Sequence, residues 1–171
     1  MTMKQIIAII ALAFLLAGCT GVTSNINNDP FCTQMKSEVD SHFGSGFSLA
    51  GGELAGPGKG SCIYERSSGA AFSVVLVHMS SESLGGKSTA EMRAELEEMG
   101  IYRLAAEKKM VEGTGYVYSY SAGAYEGVPA QHVILYKGQT LSQITVLADS
   151  DAGFYPESTL LDMAMKVSEN S

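Results

Sequence analysis

Four segments in the second half of the chain alternate apolar and polar residues, and this period of two limits the fold more than any other feature. They cover residues 102–110, 115–122, 130–137 and 141–148, and glycines lie at or beside the turns between them. Such alternation is typical of strands with one buried face, and Lys137-Gly138-Gln139 indicates a tight hairpin. This half of the chain is therefore predicted to form an antiparallel sheet.

A further hairpin is predicted upstream, from residues 61–66 and 70–79 around a Ser67-Ser68-Gly69 turn. Residues 74–77 are apolar at every position, which favours a central strand that is buried on both faces. Residues 51–60 are rich in glycine and include Pro57, so we expect a loop there.

Three segments carry apolar residues at helical spacing. The first begins at Pro30, the second spans 89–99 behind a capping box of Ser88 and Glu91, and the third begins at Pro156. The residues expected to face inward are Phe31, Met35, Val39 and Phe43, then Met92, Leu96 and Met99, and finally Leu160, Met163, Ala164 and Val167.

The order of elements is helix, hairpin, helix, four strands and helix. This order predicts a single α+β domain over residues 29–171, with an antiparallel sheet of about six strands flanked by three helices. The composition allows such a core, because 46% of the residues are hydrophobic and only 17% are charged.

The first eighteen residues have the features of an export signal. Lys4 precedes an unbroken apolar run at residues 6–16, which at eleven residues is too short to span a bilayer. Leu16-Ala17-Gly18-Cys19 follows, and it resembles the lipobox of bacterial lipoprotein precursors. The alternatives are an ordinary signal peptide and a buried apolar helix.

The lipobox resemblance implies that residues 1–18 are removed and that Cys19 is lipidated and anchors the protein to a membrane. The next residue influences sorting in such proteins, and Thr20 favours the periplasmic face of the outer membrane. Residues 20–28 are polar and have no period, so we expect residues 19–28 to form the lipidated cysteine and a flexible tether. The expected localisation is the cell envelope.

Cys32 and Cys62 remain as a pair in the exported part of the chain. In an oxidising compartment we expect a disulfide between them, although two free buried thiols or half of a metal site are alternatives. The sequence has no CxxC pair and its three histidines are scattered, so we expect neither a metal nor another cofactor.

The order of elements over residues 30–168 also resembles small exported lipoproteins of the PsbP-like type, with one cysteine in the first helix and another at the start of a strand. The resemblance implies an α/β/α sandwich. It implies no activity, because many members have none that is known.

Charge and motifs argue against nucleic acid and nucleotides as partners. The chain has 11 Lys and Arg against 18 Asp and Glu, a net charge of −7, whereas phosphate backbones require clustered cations. Residues 81–88 nearly match the phosphate-binding pattern GxxxxGK[ST], but Ser81 replaces the first glycine and Glu82 adds a negative charge. Ser88 is better explained as a helix cap.

Tyrosines are the most suggestive candidates for a binding surface. Tyr116, Tyr118 and Tyr120 alternate on one face of a predicted strand, and Tyr125 follows in a loop between glycines. Tyr118, Tyr120 and Tyr125 are the candidate binding residues, because aromatic side chains with a polar tip are enriched at interfaces. Alternatively the alternating tyrosines line the core, which we favour, while Tyr125 is expected to be exposed.

No catalytic residues are predicted. His42, His78 and His132 are far apart in sequence, and neither GxSxG nor SxxK is present. We expect a membrane-anchored lipoprotein with a non-catalytic binding or structural role, in contact with a protein or an envelope component. The alternatives are a periplasmic inhibitor or immunity-type protein that binds a basic partner, and an envelope hydrolase.

The lipid anchor can be tested by a Cys19→Ser substitution in the full-length protein. We expect the variant to remain as an unprocessed or mislocalised precursor, because the acyl acceptor is lost. Electrophoretic migration and membrane fractionation measure this. Unchanged migration and fractionation would exclude the lipoprotein interpretation.

Overall fold

The computed structural model of the protein describes residues 30–54, 59–80, 84–98, 107–125 and 127–170. The predicted signal peptide, the tether, Cys19 and Thr20 lie outside these residues. Met99 and the first part of the strand predicted at 102–110 lie outside them as well.

Seven antiparallel strands form one sheet in the order β1-β2-β3-β7-β6-β5-β4. The strands are β1 (Ser48–Leu54), β2 (Lys59–Glu65), β3 (Ala71–Met79), β4 (Glu107–Gly113), β5 (Tyr116–Tyr125), β6 (Val128–Lys137) and β7 (Thr140–Ala148). Within the described residues three α-helices flank it, α1 (Pro30–Phe43), α2 (Thr89–Glu98) and α3 (Glu157–Glu169). The α+β class is thus confirmed, with one strand more than predicted.

The additional strand is β1, which extends to Leu54, and β2 already begins at Lys59. The loop predicted at 51–60 is therefore wrong at both ends. Gly51 and Gly52 pair with Ile63 and Cys62 in β2. Glycine is unfavourable in strands because it has no side chain to pack and loses more chain entropy. An edge strand tolerates it here because β2 supplies the hydrogen-bonding partner.

Strands β4 and β5 also extend beyond their predicted ends. β4 continues to Gly113 rather than Met110, and β5 continues to Tyr125 rather than Ala122. Tyr125 pairs with Val128 at the end of this hairpin. Its predicted placement in a loop is therefore wrong, because the β5–β6 ladder continues up to a shorter turn.

The helices lie on opposite faces of the sheet. α1 and α3 pack on the face that includes Tyr118, Val133 and Leu135, whereas α2 packs against Val117 and Ile134. Alternate residues of β5 and β6 thus enter different clusters, as the pleat requires. The inward residues predicted for α3 are all buried, as are Met35, Val39 and Phe43 of α1 and Met92 and Leu96 of α2.

β3 is an interior strand that is buried on both faces, as residues 74–77 predicted. Val74, Val75, Leu76 and Val77 are buried, and the strand pairs with β2 on one side and β7 on the other. Its ladder with β7 shifts register between Ala71 and Ser73. Phe72 is therefore the extra residue of a β-bulge, a device that changes the direction of a side chain.

α1 runs along the sheet from one end to the other. Near its start Cys32 forms a disulfide with Cys62 of β2, at a Cα–Cα distance of 5.6 Å. The ring of Phe31 lies 4.4 Å from that of His78, close to the end of β3. Its last residue, Phe43, accepts a hydrogen bond from Arg66, which follows β2. We call the end of the sheet with His78 the proximal end and the end with Arg66 the distal end.

Within the described ranges, no helix has both the length and the apolar character needed to cross a membrane.

The disulfide can be tested on the non-reduced protein by peptide mass spectrometry, which should find Cys32 linked to Cys62. The bridge closes a loop of 31 residues, so its loss should cost about 3–4 kcal/mol in the chain-entropy model. Reduction should accordingly lower the thermal midpoint by roughly 10 °C. Rapid alkylation of both thiols in the native protein would contradict this pairing.

Candidate functional site

An open cleft of about 520 Å³ lies at the distal end of the sheet. The turn after β2, the start of β6 and the residues at the end of β7 meet there. Its lining includes Arg66, Gly69, Phe72, Val128, Pro129 and Asp149. This volume falls within the range of small-molecule sites, so the cleft is the candidate functional site.

The floor of the cleft is apolar. Phe72 reaches it through the bulge in β3, and it packs with Val128 against buried Ala130 and Leu147. Phe72, Val128 and Pro129 are only half-buried. Apolar surface therefore remains accessible to a ligand at this point.

Arg66 forms a rigid wall of the cleft. Its Nε donates to the carbonyl of Ala71 at 2.6 Å, and its Nη1 and Nη2 donate to the carbonyl of Phe43 and to Tyr155 Oη, both at 3.2 Å. The guanidinium also lies 4.4 Å from the centre of the Phe47 ring. These contacts fix the cation, and through it they join α1 and β3 to the segments that hold Phe47 and Tyr155.

Gly69 covers the guanidinium from the turn between β2 and β3. Its φ is +105°, and a Cβ added there would lie 2.9 Å from the guanidinium carbon of Arg66. Only glycine meets both requirements without displacing the arginine.

Asp149 is exposed at the rim of the cleft. Its backbone N–H donates to the carbonyl of Ala70 at 2.8 Å, which fixes the position of the residue. Its carboxylate makes no ion pair with any of the side chains that the structure describes. Asp151 is also exposed, two residues further on. The cleft thus combines an apolar floor with an available negative charge.

Tyr118 and Tyr120 occupy the core and lie away from the cleft, with relative exposures of 6% and 5%. Tyr118 Oη donates to the Glu157 carboxylate at 2.6 Å, and Tyr120 Oη accepts from Gln131 Nε2 at 3.1 Å. Burial, followed by the hydrogen bond to Glu157, raises the pKa of Tyr118 to about 12. This arrangement matches the core interpretation. The structure does not describe the side chain of Tyr125.

A polar row crosses the sheet face that carries α2. His132, 2% exposed, faces Thr145 across the β6–β7 ladder, and their Nδ1 and Oγ1 atoms are 2.8 Å apart. Gln143 Nε2 also approaches Thr145 Oγ1, at 3.5 Å. His132 Nε2 has no hydrogen-bond partner among the described residues. Burial lowers the pKa of His132 to about 4.

This row also bears on the hydrolase alternative, because Ser121 is the cross-strand neighbour of His132 in β5. A serine nucleophile requires a histidine that accepts its proton near neutral pH. His132 is a weak base at that pH, and its free nitrogen is not bonded to Ser121. His42 and His78 lie on α1 and β3, so the three histidines do not converge.

Backbone N–H groups at the start of α2 already donate hydrogen bonds to side chains of the same segment. Ser88 N–H donates to the Glu91 carboxylate at 2.8 Å and Glu91 N–H donates to Ser88 Oγ at 3.3 Å, the predicted capping box. The hydrogen bonds from Ser88 lower the pKa of Glu91. Lys87 pairs with Glu95. A phosphate would therefore have to displace a carboxylate that holds the same backbone donor.

No grouping of three His, Cys, Asp or Glu side chains suited to a metal occurs within the described ranges. No protein-family model matches the chain, and no curated protein sequence matches it. No pattern in the sequence indicates the cleft. Its residues come from three distant parts of the chain, and the bulge at Phe72 has no signature in an apolar segment.

The buried state of His132 predicts an acid-sensitive stability. The folded pKa is about 4 against an ordinary value of 6.5, so the unfolded chain binds the proton more readily. The contribution of His132 to the free energy of unfolding should be constant above about pH 7 and should fall by about 3 kcal/mol between pH 6.5 and pH 4. Urea unfolding across this range measures the slope.

His132→Gln removes the titrating group and should flatten the slope, whereas His42→Gln on α1 should leave it in place. Equal slopes in the two variants would assign the acid sensitivity to other groups.

Proposed function

We propose that this protein is a lipoprotein of the cell envelope that is anchored through Cys19 and binds a partner non-catalytically at the distal cleft. The proposed location is the periplasmic face of the outer membrane, as Thr20 suggests. One observation supports this proposal above all others, namely that the cleft and the start of α1 lie at opposite ends of the sheet.

The separation follows from the length of α1. The helix has 14 residues, and at 1.5 Å per residue it spans about 20 Å. A chain held at the membrane by residues that precede Pro30 would be attached at its proximal end, which leaves the cleft away from the point of attachment. The predicted tether of residues 20–28 could add up to roughly 30 Å when fully extended.

Binding is better supported than catalysis by the groups in the cleft. Arg66 is held by two carbonyls, a phenol and a ring, so its charge serves the fold. Asp149 has no histidine, cysteine or second carboxylate described beside it in the cleft lining. Acid–base catalysis relies on a titratable side chain that neighbouring groups orient towards the reacting proton, whereas recognition needs only complementary shape and charge.

A second candidate function is that of an inhibitor or immunity-type protein for a basic partner. The exposed carboxylates of Asp149 and Asp151 at the distal end favour it, as does the net charge of −7. Complementary charge of this kind accelerates association. We propose neither nucleic acid nor a nucleotide as a partner, and we propose that the domain is related to PsbP-like lipoproteins.

Site-specific photo-crosslinking in intact cells tests this function. A photo-reactive residue at Ser67, in the cleft lining, should give a discrete crosslinked product. The same residue at Thr33, exposed at the start of α1, should not. Phe72→Ala should reduce the Ser67 product severalfold, because it removes the apolar floor. Equal crosslinking at both sites, or none at Ser67, would contradict binding at the cleft.

A further inference from the structure

We infer that the distal cleft recognises a peptide segment of a partner protein in which a lysine or arginine adjoins a large apolar residue. This inference rests on the proposed binding function and specifies the chemistry of its ligand. The apolar floor and the carboxylate of Asp149 lie in one cleft and supply the two complementary contacts.

The apolar part of the ligand would be held by Phe72, Val128 and Pro129. All three are half-buried, so a side chain placed on them would remove existing apolar surface from water. The volume of about 520 Å³ accommodates a few residues rather than a whole domain. Phe72 is firmly placed, because both strands that flank its bulge lie inside the sheet.

The cationic part of the ligand would pair with Asp149. This carboxylate is exposed, its backbone is fixed by the hydrogen bond to Ala70, and it makes no ion pair within the described ranges. Arg66 lines the same cleft but is already bonded to Ala71, Phe43 and Tyr155. Its positive charge disfavours a ligand cation at the wall and leaves the rim as the favourable position.

A peptide fits this position better than an amine-bearing lipid headgroup. Gly69 and Gly127 in the turns that frame the cleft are exposed and have no side chain, so they offer backbone groups to a peptide ligand. Headgroups of the anchoring membrane would instead meet the proximal end, because the chain enters α1 there. The net charge of −7 also favours a cationic ligand.

Isothermal titration calorimetry with three blocked tripeptides tests this chemistry. The protein is expressed from its full-length gene and purified in phosphatidylcholine nanodiscs. The probes are acetyl-Leu-Lys-Leu-amide, its glutamate analogue and its norleucine analogue. The lysine peptide should bind at least tenfold more tightly than the glutamate peptide, and added salt should reduce the difference. The norleucine peptide should lie between them.

Matched variants assign the two contacts. Asp149→Asn should weaken the lysine peptide three- to tenfold and leave the norleucine peptide unchanged. Asp162→Asn, which removes an exposed carboxylate from α3, should affect neither peptide. Phe72→Ala should weaken both peptides, and Phe72→Leu should largely restore them, which separates loss of the contact from loss of the fold.

The outcomes distinguish this inference from the function on which it rests. Recognition of charge is overturned if all three peptides bind equally, or if the Asp149→Asn variant binds the lysine peptide as tightly as the parent protein does. Crosslinking at Ser67 would in that case still support a partner at the cleft. Absence of both peptide binding and Ser67 crosslinking rejects the cleft as a binding site. A last outcome concerns the lipid. If phosphatidylethanolamine replaces the nanodisc lipid and then saturates the cleft, so that peptide binding is lost, the ligand is a lipid and the peptide assignment is overturned.

Discussion

The pairing of β3 with β7 joins two halves of the chain that would otherwise form separate sheets. β1, β2 and β3 make one antiparallel unit and β4 to β7 make another, and each is built from neighbours in sequence. The β3–β7 ladder brings together residues about 70 positions apart, from Ala71 with Ala148 to Met79 with Leu141. The valines and leucine of β3 and the leucines, isoleucine and valine of β7 are buried, so the hydrophobic effect favours this non-local pairing over its entropic cost.

Both the cleft and the polar row depend on that pairing. The bulge that directs Phe72 is an irregularity of the β3–β7 ladder, and Asp149 directly follows β7. On the face with α2, the same β7 contributes Thr145 and Gln143 to the row with His132. One strand therefore supplies groups to an open cleft at its end and to a buried hydrogen-bonded row along its length.

Local signals in the sequence were sufficient for elements whose stability is local. The capping box of Ser88 and Glu91 located the start of α2, and the Gly138-Gln139 turn located the β6–β7 hairpin. β1 could not be predicted from its own residues, because Gly51 and Gly52 take strand geometry only when β2 lies beside them. The end of β5 was missed for the same reason, since Val128 pairs with Tyr125 across a shorter turn than the glycines suggested. The cleft is even harder to predict from the sequence, because it forms only where three segments that are far apart in the chain meet.

The disulfide between Cys32 and Cys62 also determines how the domain would bear mechanical load. A pull on the chain that precedes Pro30 reaches Cys32 after two helical residues, and the covalent bridge then passes the force to β2. β2 lies between β1 and β3, so the force is shared by two ladders of hydrogen bonds acting together. Most of α1 stays outside the path of the force. Without the bridge, the same pull would unwind α1 turn by turn from its first residue towards Phe43, and would loosen the carbonyl that holds Arg66 in the wall of the cleft.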